Sequence, residues 1–489
     1  MHLSILMYRY KRMTTHWLCI RVPQLPLEIF TRSEHGETRA VVVAEGGQRA
    51  VVLLCNQVAR DAGIHAGMPV SSARALTGNL AVHHRDDRSE RHALRRLAGW
   101  LYQFSSQISL RPPDTLLLEI QGSQQLFGGR DALLDTILSG FAALGYQAHS
   151  AGAPTPLAAY SLACCGSDRQ VRSVDELPAT LAPLPLSVLD WEQKLLDRLE
   201  GMGIRRLGEL FQLPRDGVAR RLGPASIKYL DRMLGRCPDP LELYRPPARF
   251  SSRLQLSAEV EQAGALLFSL QRLLLELTGW LQGMDAGVQR LGFTLWHREN
   301  RRTDFRLGLH EPGRDLQQFT LLLRERLERL RLQEPVVEVG LRADSLQGTR
   351  AQTTDWFGKS ERQNPVVLLD RLRARLGDEA VCGLGSIAEH RPEYAWSYSR
   401  EPGSGGEMHG LSRPLWLLPV PRQLQTRNGR PCLQGLLLLE PGRERIESGW
   451  WDELGVARDY FVASNPGGSC YWVYREIGGK RRWFLHGIF

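Results

Sequence analysis

Residues 112–129, PPDTLLLEIQGSQQLFGG, constrain the chain more than any other stretch. Pro112 and Pro113 open it on a turn. Leu116, Leu117 and Leu118 form an apolar run, Glu119 and Ile120 continue it, and Gly122 closes it. A short apolar run between turn signals predicts a buried strand. Asp114 stands at the mouth of that strand, and the residue beside it is Thr115 rather than a second acid.

The 489 residues allow three or four domains, and 43% hydrophobic content is enough for proper cores. Lys and Arg number 62 against 53 acids, a net charge of +9. That excess suits a nucleic-acid partner and equally suits a merely basic soluble protein. The eight cysteines form no CxxC, and only Cys164 and Cys165 lie close together. Scattered cysteines favour reduced thiols over a disulfide framework or a zinc site. No run reaches the roughly 18 apolar residues of a membrane helix, so no membrane partner is expected. The first residues, MHLSILMYRYKRM, place charge after the apolar piece, opposite to a secretory signal. Residues 1–15 read as an N-terminal extension with Met13 an alternative start, and the cytoplasm is the expected location.

Along the chain, residues 17–30 begin as a strand and turn at Pro23 and Pro26, and AVVVAEGGQRAVVLL at 40–54 is a hairpin signal. Helices are expected over 56–66, from Met68-Pro69 to Leu76, over 88–104 and over 131–144. Leu94, Leu97, Leu101 and Phe104 share one face of the third. Alternating strands and helices make residues 16–167 an α/β layer. Residues 168–190 are a Pro-rich connector. LLDRLEGMGIRRLGELFQLP, 195–214, reads helix, Gly-x-Gly turn, helix. Gly201, Gly203, Ile204 and Arg205 in that turn fit either a phosphate-binding helix-hairpin-helix, whose glycines let backbone N–H groups approach a phosphate, or an ordinary αα-hairpin.

Past a Pro-rich linker at 240–249, residues 250–345 read as two helices on an antiparallel sheet, an α+β body. Arg290, Arg298, Arg301, Arg302 and Arg306 cluster on its central strands and their loop. They either track a phosphate backbone or solvate a strand edge. Residues 346–364 lose periodicity, with Trp356 and Phe357 in a polar loop, a pattern that fits an anchor for another protein's pocket. Residues 365–489 hold one helix and then a strand-rich, Trp-rich module. Most of its tryptophans, among them Trp416, Trp450, Trp451, Trp472 and Trp483, are expected to fill a small core.

The order of these pieces resembles the Y-family translesion DNA polymerases: palm and fingers (16–167), helix-hairpin-helix thumb (168–245), little finger (250–345). CNQVARDAGIHAGMPVSSARAL at 55–76 is similar to the family's fingers motif. PPDTLLLEIQGSQQLFGG is similar to its palm strand, and SAGAPTPLAAYSLA at 150–163 to the motif that holds a nucleotide-contacting lysine. WLCIRVPQLPLE, APTPLAA and the ending RIESGWWDELGVARDYFVAS…WFLHGIF resemble the catalytically inactive branch found in bacterial mutagenesis cassettes. The fold class implied is multidomain α/β and α+β with a C-terminal aromatic β-rich module.

Two-metal phosphoryl transfer needs carboxylates that hold two divalent ions. The resemblance places acids on the first strand, but residues 16–27 contain none, and Cys19, Ile20 and Arg21 stand there. Asp114 matches the first acid of the second strand, and Thr115 replaces the next. Gln57 replaces a tyrosine that packs on the triphosphate, Arg60 is kept, and Thr155-Pro156 replaces the Asn-Lys pair. No metal and no cofactor are expected, and rescue by Glu119 or Glu45 is not. The resemblance implies an adaptor that binds DNA and the sliding clamp (beta subunit). It would bring an error-prone C-family DNA polymerase and a RecA-like accessory protein to damaged DNA at the nucleoid. Rival readings are an active Y-family polymerase and a DNA-binding repair protein without a polymerase partner. The clamp peptide is placed at QTTDWFG: Gln352, Asp355, Trp356 and Phe357. Gln24-Leu25-Pro26-Leu27 matches the clamp pattern better by letters, but falls where those leucines serve a core.

Overall fold

The computed structural model describes residues 15–33, 39–47, 49–348, 365–377, 379–399, 413–451 and 455–489. The chain divides into two compact units, Met1–Arg375 and Leu376–Phe489.

The first unit opens with β1 (Trp17–Arg21) and a short helix α1 (Leu25–Thr31), then β2 (Val41–Glu45), β3 (Val51–Cys55), α2 (Gln57–Asp61), α3 (Val70–Leu76), β4 (Ala81–His84) and α4 (Asp87–Leu101). It continues through β5 (Ile108–Arg111), β6 (Thr115–Glu119), α5 (Arg130–Leu144), β7 (His149–Ala153) and α6 (Pro156–Cys164). Strands β5, β6, β1 and β7 form one sheet in that order. The apolar run at 116–118 is explained by burial on both faces. Leu116 and Leu118 pack with Leu18, Ile20, α4 and α5, while Leu117 packs with Cys19, Ala151, Ala153 and α6. The predicted hairpin forms as β2–β3, and β4 joins β2 in parallel to make a separate three-stranded sheet. Pro23 and Pro26 do more than turn the chain. Pro26 sits in the first turn of α1, where its missing N–H costs nothing, so the pair starts a helix. Leu25 and Leu27 are buried there, as a core role requires.

Helices α7 (Leu177–Leu181), α8 (Gln193–Gly201), α9 (Leu207–Gln212), α10 (Arg215–Leu222) and α11 (Pro224–Met233) share the core beneath β1 and β7. Next come β8 (Phe250–Val260), α12 (Leu267–Gly283), β9 (Ala286–His297), β10 (Arg302–Gly313), α13 (Leu316–Leu327), β11 (Val336–Ala343) and β12 (Leu346–Gly348). The sheet order is β10-β9-β11-β8, with β12 on β9. Helices α12 and α13 cover one face through Leu273, Leu277, Phe319, Phe293 and Leu295. The helix expected over 262–282 opens as a 3-10 turn, Ala263–Leu266, before α12. α14 (Pro365–Leu376) also docks on this body. Asp370 accepts the His310 N–H at 2.8 Å, and Arg371 pairs with Glu325 at 3.0 Å, which carries the compact unit past the boundary read from sequence.

This body is held tightly to the first layer through α12 and α4. A Cβ at Gly279 would lie 2.3 Å from Trp100, and one at Gly283 2.7 Å from the Tyr102 backbone. Beside this seam, Arg32 and Glu276 approach to 2.7 Å with both side chains buried. Ser252 Oγ donates to the other Glu276 oxygen at 2.5 Å.

The second unit is β-rich. Its main sheet includes Trp416–Gln423, Trp483–Ile488, Cys470–Glu476 and Val456–Ser464 as successive neighbours. Trp472 and Trp483 fill its cores. The other three tryptophans correct the expectation of a Trp-filled core. Trp416 is 67% exposed, and Trp450 (85%) and Trp451 (60%) stand in a turn past the strand Glu444–Ser448, where no sheet face can cover them.

Candidate functional site

Strand register brings together what the sequence separates by 93 residues. β1 and β6 run antiparallel, with Arg21 opposite Thr115 and Cys19 opposite Leu117. Arg21 Nε lies 2.9 Å from Asp114 Oδ2, and Thr115 Oγ1 donates to Asp114 Oδ1 at 2.9 Å. Arg21 also reaches the Cys164 carbonyl at 3.4 Å. Burial opposes its charge, but the Asp114 carboxylate outweighs that and raises its pKa. Both oxygens of Asp114 are therefore engaged, one by a permanent cation. Cys19 is fully buried, and desolvation pushes its thiol well up, so it stays protonated.

A cleft of about 170 Å³ opens beside Asp114, lined by Pro23, Pro26, Leu53, Leu54, Arg85, Glu90 and Pro113. Glu90 is a carboxylate that sequence reading missed, because nothing in the first turn of a helix marks it as facing inward. It is 2% exposed and is held bidentately by Arg85 at 3.0 and 3.1 Å. Each carboxylate of the cleft thus carries its own guanidinium. Such a set does not fit a pair of divalent ions, which need free hard oxygens. Among the described residues, no group of three or more His, Cys, Asp or Glu could hold a metal. Glu119 shares the Thr115 face but stands four residues along the strand, roughly 13 Å away. Its carboxylate accepts the His16 and Gln121 N–H groups. Glu45 is exposed at the end of β2 and approaches Arg85 at 3.4 Å.

The positions that the resemblance would set beside a nucleotide make contacts within the chain. Arg60 folds back, donating to the Cys55 carbonyl at 3.0 Å and to Gln57 at 3.1 Å. Thr155 caps α6 by accepting from Ala158 N–H and donates to the Met233 carbonyl at 2.7 Å, closing α6 against α11.

At the glycine turn, Gly203 adopts φ +83°, which explains its residue type. The turn amides are not presented to a ligand. Gly203 and Ile204 donate to the Glu200 and Leu199 carbonyls, and Arg205 and Arg206 N–H groups donate to Glu209 at 2.6 and 3.2 Å. Those backbone bonds hold the Glu209 carboxyl below its usual range. What this turn offers solvent is the guanidinium groups of Arg205 and Arg206, while Gly201 is exposed and Ile204 buried.

The arginines of the sheet body divide. Arg298 pairs with Glu259, Arg301 with Glu334, and Arg302 with Asp304 at 3.3 Å. Arg290 and Arg306 are exposed and alternate with the core residues Leu291 and Leu307, on the sheet face away from α12 and α13. Arg253, Trp296 and Arg342 share that face and were missed. Arg253 lies over the Trp296 ring at 4.4 Å, and Arg342 reaches Thr294 at 3.5 Å. Period-two alternation on β8, β9 and β11 is the signal that could have found them. The proposed clamp residues Gln352, Asp355, Trp356 and Phe357 lie outside the described residues.

Residues 30–163 match the impB/mucB/samB family. Over a greater length the chain is similar to Protein ImuB of Caulobacter vibrioides, with 26% identity over 464 residues, 87% of this chain and 100% of that protein. It is also similar to DNA polymerase IV of Aeromonas hydrophila, with 26% identity over 62% of this chain and 88% of the relative. DinB from Sulfolobus solfataricus aligns in structure with a TM-score of 0.38 and 16% identity, covering 68% of this chain and 100% of that one. The chain is thus ImuB-like along most of its length. No helix among the described residues is long and apolar enough to cross a membrane.

Proposed function

We propose that the chain is a non-catalytic adaptor in damage-induced translesion synthesis, a polymerase body that holds DNA and leaves the chemistry to a partner. The observation that carries this reading is the Arg21–Asp114 pair, which sets a fixed cation where a polymerase would bind metal. In this reading residues 16–167 act as palm and fingers, 168–245 as thumb and 250–345 as little finger. The outer sheet face with Arg290 and Arg306 follows the phosphate backbone, with sequence-blind, salt-dependent affinity. Residues 346–364 carry the clamp peptide. The β-rich unit recruits an error-prone C-family polymerase and a RecA-like protein, and its exposed Trp416, Trp450 and Trp451 suit partner pockets. The protein works in the cytoplasm, at the nucleoid.

The test is a pull-down with the sliding clamp and the C-family polymerase. Trp356→Ala with Phe357→Ala should abolish clamp capture while leaving DNA and polymerase binding intact. Clamp capture that survives the double change and is lost on Gln24→Ala would place the peptide in α1 instead.

A further inference from the structure

Helix α4 carries a cationic face that the reading above leaves unused. Its inner side buries Ala93, Leu94, Leu97 and Leu101. Arg88, Arg91, His92 and Arg95 are all exposed on the opposite side. Their spacing of three, four and seven residues sets them in one stripe about 10 Å long. Among the described residues none of the three arginines has a carboxylate within ion-pair distance, unlike Arg298, Arg301 and Arg302 on the sheet body. Asp86 does reach this face, but its oxygens are committed to capping the helix through Arg88 N–H, Ser89 N–H and Ser89 Oγ. Like charges at these spacings weaken a helix, and Arg88 also sits in the first turn, where the backbone dipole disfavours a cation. Among the described residues no ion pair offsets this repulsion, and Asp86 only tempers it at Arg88 and His92. Partial burial and then the neighbouring Arg96, Arg88 and Arg95 lower the pKa of His92, in keeping with a concentrated positive potential. Next to the stripe, Arg96 Nη1 donates to the Arg253 backbone carbonyl on β8 at 3.4 Å, and the Arg253 side chain lies on the outer sheet face over Trp296.

We propose that the exposed face of α4 is a second track for the phosphodiester backbone of DNA, continuous with the sheet face through Arg253. The inference rests on the reading that the chain binds DNA. Three neighbouring arginines with no carboxylate at ion-pair distance among the described residues complement a polyanion, and guanidinium groups suit its phosphates.

The test is fluorescence anisotropy of the full chain with a labelled primer–template bearing a single-stranded overhang, from roughly 50 to 200 mM salt. Arg88→Gln/Arg91→Gln/Arg95→Gln should flatten the slope of log affinity against log salt by about 2–3 and weaken binding by roughly tenfold or more. Each single change should remove about 1 from the slope, and the triple Lys variant should keep it. Arg290→Gln/Arg306→Gln serves as the sheet-face comparison. If wild type binds and only the sheet-face variant changes, the α4 track is wrong and the DNA reading stands. If wild type binds no DNA, both fall.

Discussion

Glu276→Leu is expected to destabilise the first unit by about 3–5 kcal/mol, seen as a clear fall in its urea midpoint. Glu276 is fully buried in the seam between α12 and α4, and one carboxylate serves several cations there. Arg32 lies 2.7 Å away and Arg96 3.6 Å. Arg272 also borders Arg32, and burial first, then that neighbour, brings its pKa down to about 10. Burial opposes the ionised Glu276, yet Arg32 and Arg96 overcome it and hold its pKa low. Leu at this site would leave Arg32 charged and dry without its 2.7 Å carboxylate. Losing one partner of a buried pair costs far more than replacing both. Arg32→Met combined with Glu276→Leu should therefore recover much of the loss, and a double-mutant cycle would show strong coupling. Equal midpoints for wild type and Glu276→Leu would mean the pair does not fasten the sheet body to the first layer.

A pH dependence of stability should come from Glu28 on α1. One of its oxygens accepts the Gln147 N–H at 2.7 Å, and the other is buried without a partner. Desolvation raises this carboxyl from 4.5 to about 8, against the opposing pulls of Gln147 and Arg32. Between those values the folded protein keeps a proton that the unfolded chain has released. The sign follows: the contribution is fully present below about 4.5 and is lost as pH rises through about 8. Each pH unit in that window costs about 1.4 kcal/mol from this group. Glu28→Gln mimics the protonated form. It should be more stable than wild type at pH 8 by a few kcal/mol, with the gap closing toward pH 5. Unfolding curves for the two proteins that stay parallel across this range would refute the assignment.

Local signals made much of this legible in advance. The strand at 116–118, the Gly-Gly hairpin and the apolar stripe of α4 are written in period and turn residues, and they stand as read. α1 was missed because seven residues with Pro26 second among them give no helical period. At the site, the absence of acids on β1 was visible, and so was Arg21. That Arg21 closes on Asp114 depends on the β1–β6 register, which one strand alone does not specify. The arginine cluster was visible too, but its partners were not. Glu259 and Glu334 lie 39 and 33 residues from Arg298 and Arg301, and pairing over such distances is set by tertiary packing. The glycine turn shows the same limit. Its residue types were recognised, yet Glu209 takes the N–H groups that a phosphate would need.

These observations converge on Asp114, whose carboxylate is held by Arg21 and Thr115, and which the proposed reading takes as the remnant of a metal site. The decisive measurement is primer extension by the purified chain with Mg²⁺ or Mn²⁺, all four nucleotides, and undamaged or lesion-bearing templates. No extension is expected under any of these conditions, while a C-family polymerase added to the same reaction extends the primer. Extension that co-elutes with the chain and disappears on Asp114→Ala would show that the site works as a polymerase after all.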